Sequence, residues 1–226
     1  MTQAGPDAGR AGPGNFVRSF RHSTRMRKLL TRPMAKPLLF GLALLPFIWL
    51  VYGAATQSLG ANPAEALIRS TGDWTLRFLC LVLLVTPLRV VISTPALARF
   101  RRMLGLFVYF YAVLHLLCYG WLDMGFDIAD IVRDIVKRPF ILVGFSAFVL
   151  LSLLAATSFN RAIKRMGARR WQLLHRLVYV VAVLAVLHFF WMRAGKNDFA
   201  EVAVYAVILG SLLVWRLVHA RRGKPR

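Results

Sequence analysis

Acidic residues are scarce: nine Asp and Glu stand among 226 residues, against 30 Lys and Arg. Charge of either sign is thin as well, at 17% of the chain where a soluble domain carries about 25%. There are two cysteines, Cys80 and Cys118, each inside an apolar run and in no C-x-x-C pair. That spacing gives no ground for a disulfide framework or a cysteine metal cluster and leaves buried thiols packed as small apolar groups. Signatures of soluble chemistry are missing too. No Walker loop, no G-x-G-x-x-G and no Ser-His-Asp arrangement occurs, and no loop is long enough to house a nucleotide domain.

What is abundant is apolar: 58% of the residues are hydrophobic and the mean hydropathy is +0.58. A net charge of +21 would suit a nucleic-acid binder, but this much Leu, Val and Phe would not. Both facts fit an all-α polytopic membrane protein with its basic residues in loops on one face. Residues 1–37 are expected to be a disordered basic tail whose eight Lys and Arg lie against anionic lipid headgroups, with no nucleic-acid partner. Residues 38–220 form the membrane domain, and 221–226 a second short basic tail. Six apolar stretches supply the spans: Leu38–Ala55, Trp74–Ile92, Met103–Leu122, Pro139–Asn160, Trp171–Met192 and Val202–Val218. A crossing helix needs about 20 apolar residues, so the second and sixth must let Arg77, Arg89 and Arg216 snorkel towards headgroups.

Loop charge supports that count independently. With the N-terminus inside, 22 of the Lys and Arg fall on the inner side and six in the outer loops 56–73, 123–138 and 193–201. The positive-inside rule therefore predicts a six-helix bundle with both termini cytoplasmic. In the second outer loop, Asp123, Asp127, Asp130 and Asp134 recur on one helical face, opposite Ile128, Ile131, Val132 and Ile135. A short amphipathic outer helix is expected there, its acidic face either solvated or a docking surface for a partner.

The ionisable chemistry left inside the spans is histidine: His115 in the third, His175 and His188 in the fifth. His22 and His219 lie in the tail and at the inner edge and receive no role. An ionisable group within a span is costly unless it works. Spans three and five run in the same direction, and His115 and His188 both fall in the outer half. At a rise of about 1.5 Å per residue their depths differ by about 7–8 Å before any tilt. That makes His115 with His188 the better pair to ligate one haem iron from both sides. An apolar pocket keeps imidazole neutral and able to ligate. His175 lies 13 residues from His188, roughly 20 Å along a helix and about 140° round it. Either the fifth helix is distorted or the two histidines face different neighbours. The position 14 residues before His115 is Arg101, so a second haem at His175 would need a ligand other than histidine.

The run Arg101-Arg102-Met103-Leu104-Gly105-Leu106 with Tyr111 and His115, followed by Trp171-Gln172-Leu173-Leu174-His175-Arg176-Leu177 with Tyr179 and His188, resembles the MsrQ (YedZ) family. These are haem-binding membrane subunits within the ferric-reductase-like transmembrane group, and the likeness spans residues 38–220. The resemblance implies heme b, one or two, with His115, His175 and His188 as the matching ligands. It implies electrons taken from the respiratory quinone pool or a cytoplasmic flavin reductase and passed, across a bacterial cell inner membrane, to a periplasmic molybdopterin-containing MsrP-type subunit that reduces oxidised methionines. FMN is associated with the family, but no residue here marks its site. Three other readings compete. A proton-relaying transporter is disfavoured because no Asp or Glu falls inside the six stretches. A scaffold would not need three buried histidines. A stand-alone ferric reductase would normally bring its own flavin and nicotinamide domain.

Overall fold

The computed structural model describes residues 30–195 and 197–222. Among them the chain is helical, with α1 at Ala35–Ala55, α2 at Pro63–Val91, α3 at Arg101–Cys118 and α4 at Ile128–Lys137. Then come α5 at Pro139–Ala156, α6 at Asn160–Met166, α7 at Ala168–Leu174, α8 at Val178–Ala194 and α9 at Ala200–Arg222. Six helical units are long and apolar enough to cross a membrane. Their outward faces carry large apolar side chains: Leu38, Trp49, Val207 and Leu217 are each more than half exposed. So much apolar surface is intolerable in water and ordinary against lipid, where the helices satisfy their own backbone groups. The chain is a multi-pass membrane protein.

Two boundaries depart from the sequence reading. The second span starts at Pro63 rather than Trp74, because Asn62 caps it: its side chain accepts from Glu65 N at 3.1 Å, with Pro63 in the first turn. The loop before it therefore shrinks to 56–62, and Glu65, Arg69 and Asp73 become helical. The expectation that no acid lies inside a span is overturned for this helix. Arg77 accordingly sits mid-helix instead of snorkelling from an end; its Nε donates to the Tyr205 hydroxyl at 3.3 Å and its guanidinium lies over Trp74. Arg216 is likewise held inside, by Tyr179 and the Leu83 carbonyl. The second departure is at the tail. Leu30 and Thr31 are helical, and Arg99 donates to the Leu30 carbonyl at 2.9 Å, so the bundle already begins there. The rest of the basic tail, residues 1–29, and the last four residues lie outside the described residues.

The core is built by α2 packed along α3 and by α5 packed along α8. Leu79, Leu83, Val108, Tyr111 and Val181 are buried at 0–1% exposure. Phe78 stacks on Tyr111 and on Phe107, with centroids 5.2 and 5.6 Å apart. Tyr111 also repairs α1. Pro46 has no N–H, and at this weak point the Tyr111 hydroxyl inserts between two backbone groups. It donates to Ala43 O at 2.8 Å and accepts from Phe47 N at 3.1 Å.

Loops alternate between two ends of the bundle. Among the described residues every Asp and Glu lies towards the end that carries loops 56–62, 124–127 and 195–199. We call this the acidic end, and the other the basic end.

Candidate functional site

Four spans converge on one cavity of about 420 Å³ in the acidic half of the bundle, lined among others by Gly72, His115, Gly144 and His188. His115 is carried by α3 and His188 by α8. Each ring is anchored in the same way. Nδ1 of His115 bonds the carbonyl of Ile68 at 2.8 Å, and Nδ1 of His188 bonds that of Phe140 at 2.6 Å. A carbonyl only accepts, so both rings carry their proton on Nδ1 and leave a lone pair on Nε2. No hydrogen bond engages either Nε2 among the described residues.

Glycines make the room. A Cβ at Gly72 would stand 3.1 Å from Cε1 of His115, and one at Gly144 2.7 Å from Nδ1 of His188. Each ring thus lies in a slot that a single methyl group would fill.

The rings themselves are 6.3 Å apart, centroid to centroid, with planes at 77°. An imidazole nitrogen lies about 1.1 Å from its ring centre, and a metal–imidazole bond is about 2.0–2.1 Å. Two rings bound to opposite sides of one metal are therefore about 6.2–6.4 Å apart. No group of three or more His, Cys, Asp or Glu able to hold a metal ion exists among the described residues. Two imidazoles are too few for a bare ion, and they suit a metal whose remaining ligands come with a macrocycle. The cavity volume lies in the range of cofactor pockets, and its lining is mostly apolar with a few charged groups, among them Glu65, Arg69 and Arg138. The residues present fit a haem.

His175 is not brought to this site. It opens a short 3-10 turn, His175–Leu177, between α7 and α8, so the fifth span is distorted at this residue. Its ring stacks on Trp171 with centroids 4.0 Å apart, Nδ1 meets the Trp171 carbonyl at 3.1 Å, and Nε2 lies 3.4 Å from Ser158 Oγ. His219 stacks on Trp215 at the basic end, and His22 is outside the described residues.

Residues 71–186 match the family described as ferric reductase like transmembrane component. A protein of Polaromonas naphthalenivorans is 73% identical over 84% of this chain and 87% of its own length. Relatives from Herminiimonas arsenicoxydans and Brucella anthropi are 53% and 45% identical, each over 83% of this chain and over 86% and 84% of their own lengths. All three are named protein-methionine-sulfoxide reductase heme-binding subunit MsrQ. The chain belongs to the MsrQ family.

The matched span of this MsrQ-family chain contains His115, His175 and both slot glycines, and it ends two residues before His188. Sequence reading missed Gly72 and Gly144, since one glycine in an apolar helix carries no sign of what it faces. It missed Asp73 by starting the span at Trp74, eleven residues after the helix begins at Pro63. The Asn62-Pro63-Ala64-Glu65 start signal was the clue available.

Proposed function

We propose that this chain is the haem-bearing membrane subunit of a protein-methionine-sulfoxide reductase system, in which His115 and His188 together would hold one b-type haem. The observation that carries the reading is the pair of rings 6.3 Å apart, each with Nδ1 on a backbone carbonyl and Nε2 free. The haem supplies a reversible one-electron couple inside the membrane. The rest is the work of side chains. The carbonyls of Ile68 and Phe140 fix ring orientation and make each Nε2 a better donor, as hydrogen-bond acceptors behind metal-bound imidazoles do. Gly72 and Gly144 admit the rings. Ala112, Leu116 and Ala147 help keep water from the middle of the cavity.

In this reading the basic end is cytoplasmic and both termini lie there, in a bacterial inner membrane. Electrons enter from the quinone pool, as quinol, or from a cytoplasmic flavin reductase and leave at the acidic end to a periplasmic, molybdopterin-containing MsrP-type catalytic subunit, which repairs oxidised methionines. A second haem, nearer the basic end, would use His175; its 3.4 Å contact with Ser158 is long enough to be given up. FMN rests on family resemblance alone.

The test is the absorption spectrum of the purified protein in detergent. A b-type band on dithionite reduction is expected, lost or nearly lost in His115→Ala and in His188→Ala. A colourless, folded wild-type protein would overturn the reading.

A further inference from the structure

Asp73 is a carboxyl group inside a membrane span, one residue beyond the glycine that makes room for His115, on the wall of the same cavity. It makes no hydrogen bond and no ion pair among the described residues, although cations surround it. Each of those cations is occupied elsewhere. Arg69, one turn before it, pairs with Glu65 at 3.4 Å. Arg77, one turn after it, is held by Tyr205 and Trp74. Arg193 of α8, only 7% exposed, binds Asp198 and Glu201. The other titratable groups on this cavity are His115, Tyr119 and Asp123 from the α3 segment, His188 from α8, and Arg138 ahead of α5. Helix α5 adds only apolar residues and Gly144. Glu201 of α9 is a carboxylate close enough to add repulsion. An unpaired acid at this depth is expensive to keep, and intramembrane acids of this kind mark proton-handling positions.

We infer that Asp73 takes up a proton when an electron reaches the cavity and gives it back when the electron leaves. The inference rests on the haem reading above. An electron arriving from a quinol or reduced flavin adds one negative charge to a low-dielectric site, where a nearby carboxylate opposes it. One proton entering by the hydrated mouth, past Glu65, Arg69 and Arg138, forms an O–H bond on Asp73 and cancels that charge. When the electron passes to the redox partner, that O–H bond breaks and the proton leaves by the same mouth. One electron and one proton enter, and one of each departs.

The experiment is a spectroelectrochemical titration of the haem midpoint potential in the purified wild type, Asp73→Asn, Asp73→Glu and Asp130→Asn, between about pH 5 and 8. A potential that falls as pH rises is expected in the wild type, in Asp73→Glu and in Asp130→Asn, which alters only the outer helix. Asp73→Asn should lose that slope and stay near the high potential of the protonated wild type, with haem content unchanged. An equal slope in wild type and Asp73→Asn overturns the assignment while leaving the haem reading intact. A flat wild-type profile does the same. Absence of haem from the wild type overturns both. Should Asp73→Asn fail to assemble, a pH-independent potential in Asp73→Glu, or in the wild type, would still refute it.

Discussion

A methyl group at position 144 would stand 2.7 Å from Nδ1 of His188, and one at position 72 would stand 3.1 Å from Cε1 of His115. Both glycines lie in regular helix, where alanine is otherwise the better residue by roughly 1 kcal/mol. Gly144→Ala should therefore form a sound helix and still lose haem several-fold, because the ring must leave its slot and its carbonyl. Gly72→Ala should lose less, since a ring can give by the few tenths of an ångström needed. Haem absorbance per mole of protein measures both, and equal loading in Gly144→Ala would show that the slot is not needed. Tyr111 offers a contrasting case, in which stability moves and chemistry does not. Tyr111→Phe removes the hydroxyl between Ala43 O and Phe47 N and should cost about 1–3 kcal/mol, read as a lower unfolding temperature in detergent with an unaltered haem spectrum. His115 and His188 were legible in the sequence because an ionisable group in an apolar run stands out and helical rise gives its depth. Their glycine slots were not, because those depend on which helices become neighbours.

At the scale of the element, α4 shows what a correct periodicity leaves open. The amphipathic helix is there, at Ile128–Lys137. Its acids, however, are largely engaged within the protein. Asp127 is the N-cap and accepts from Asp130 N at 3.0 Å, Asp130 pairs with Arg133, and Asp134 takes the Tyr119 hydroxyl at 2.8 Å and pairs with Arg138. The opposing apolar face divides too: Ile135 is buried, whereas Ile128 and Val132 are exposed. Spacing identifies a face but not what the face touches. Asp134→Asn should therefore loosen the helix from the end of α3, and Asp127→Ala should fray its start at a cost of about 1 kcal/mol. Amide hydrogen exchange over 128–137 checks this; faster exchange confined to that segment is expected, and unchanged protection in both variants would show that neither contact holds it. The break at His175–Leu177 belongs to the same scale. The 140° offset between His175 and His188 required either a distorted helix or separate neighbours, and both occur.

For the whole molecule, charge is the organising variable. Six spans bring both termini to one end whichever way the bundle is inserted, so only the direction needs a separate argument. The split of 22 Lys and Arg against six supplies it, since basic loops are retained on the cytoplasmic side. The acids, gathered at the other end among the described residues, count little in that rule but do reveal how the bundle is polarised. A reporter fused after Arg226 should read cytoplasmic, while one inserted after Gln57 or near Asp130 should read periplasmic. The three sites test different parts of the count. If the insertion at Gln57 reads cytoplasmic while that near Asp130 reads periplasmic, the first hairpin, α1 and α2, is misassigned. If the fusion after Arg226 and the insertion near Asp130 fall on the same side, the span count between them is even where three crossings are required, and the six-span topology fails. If all three are inverted together, the bundle stands but faces the other way. The cavity with His115, His188 and Asp73 would then open to the cytoplasm, and no electron leaving by its mouth could reach a periplasmic partner.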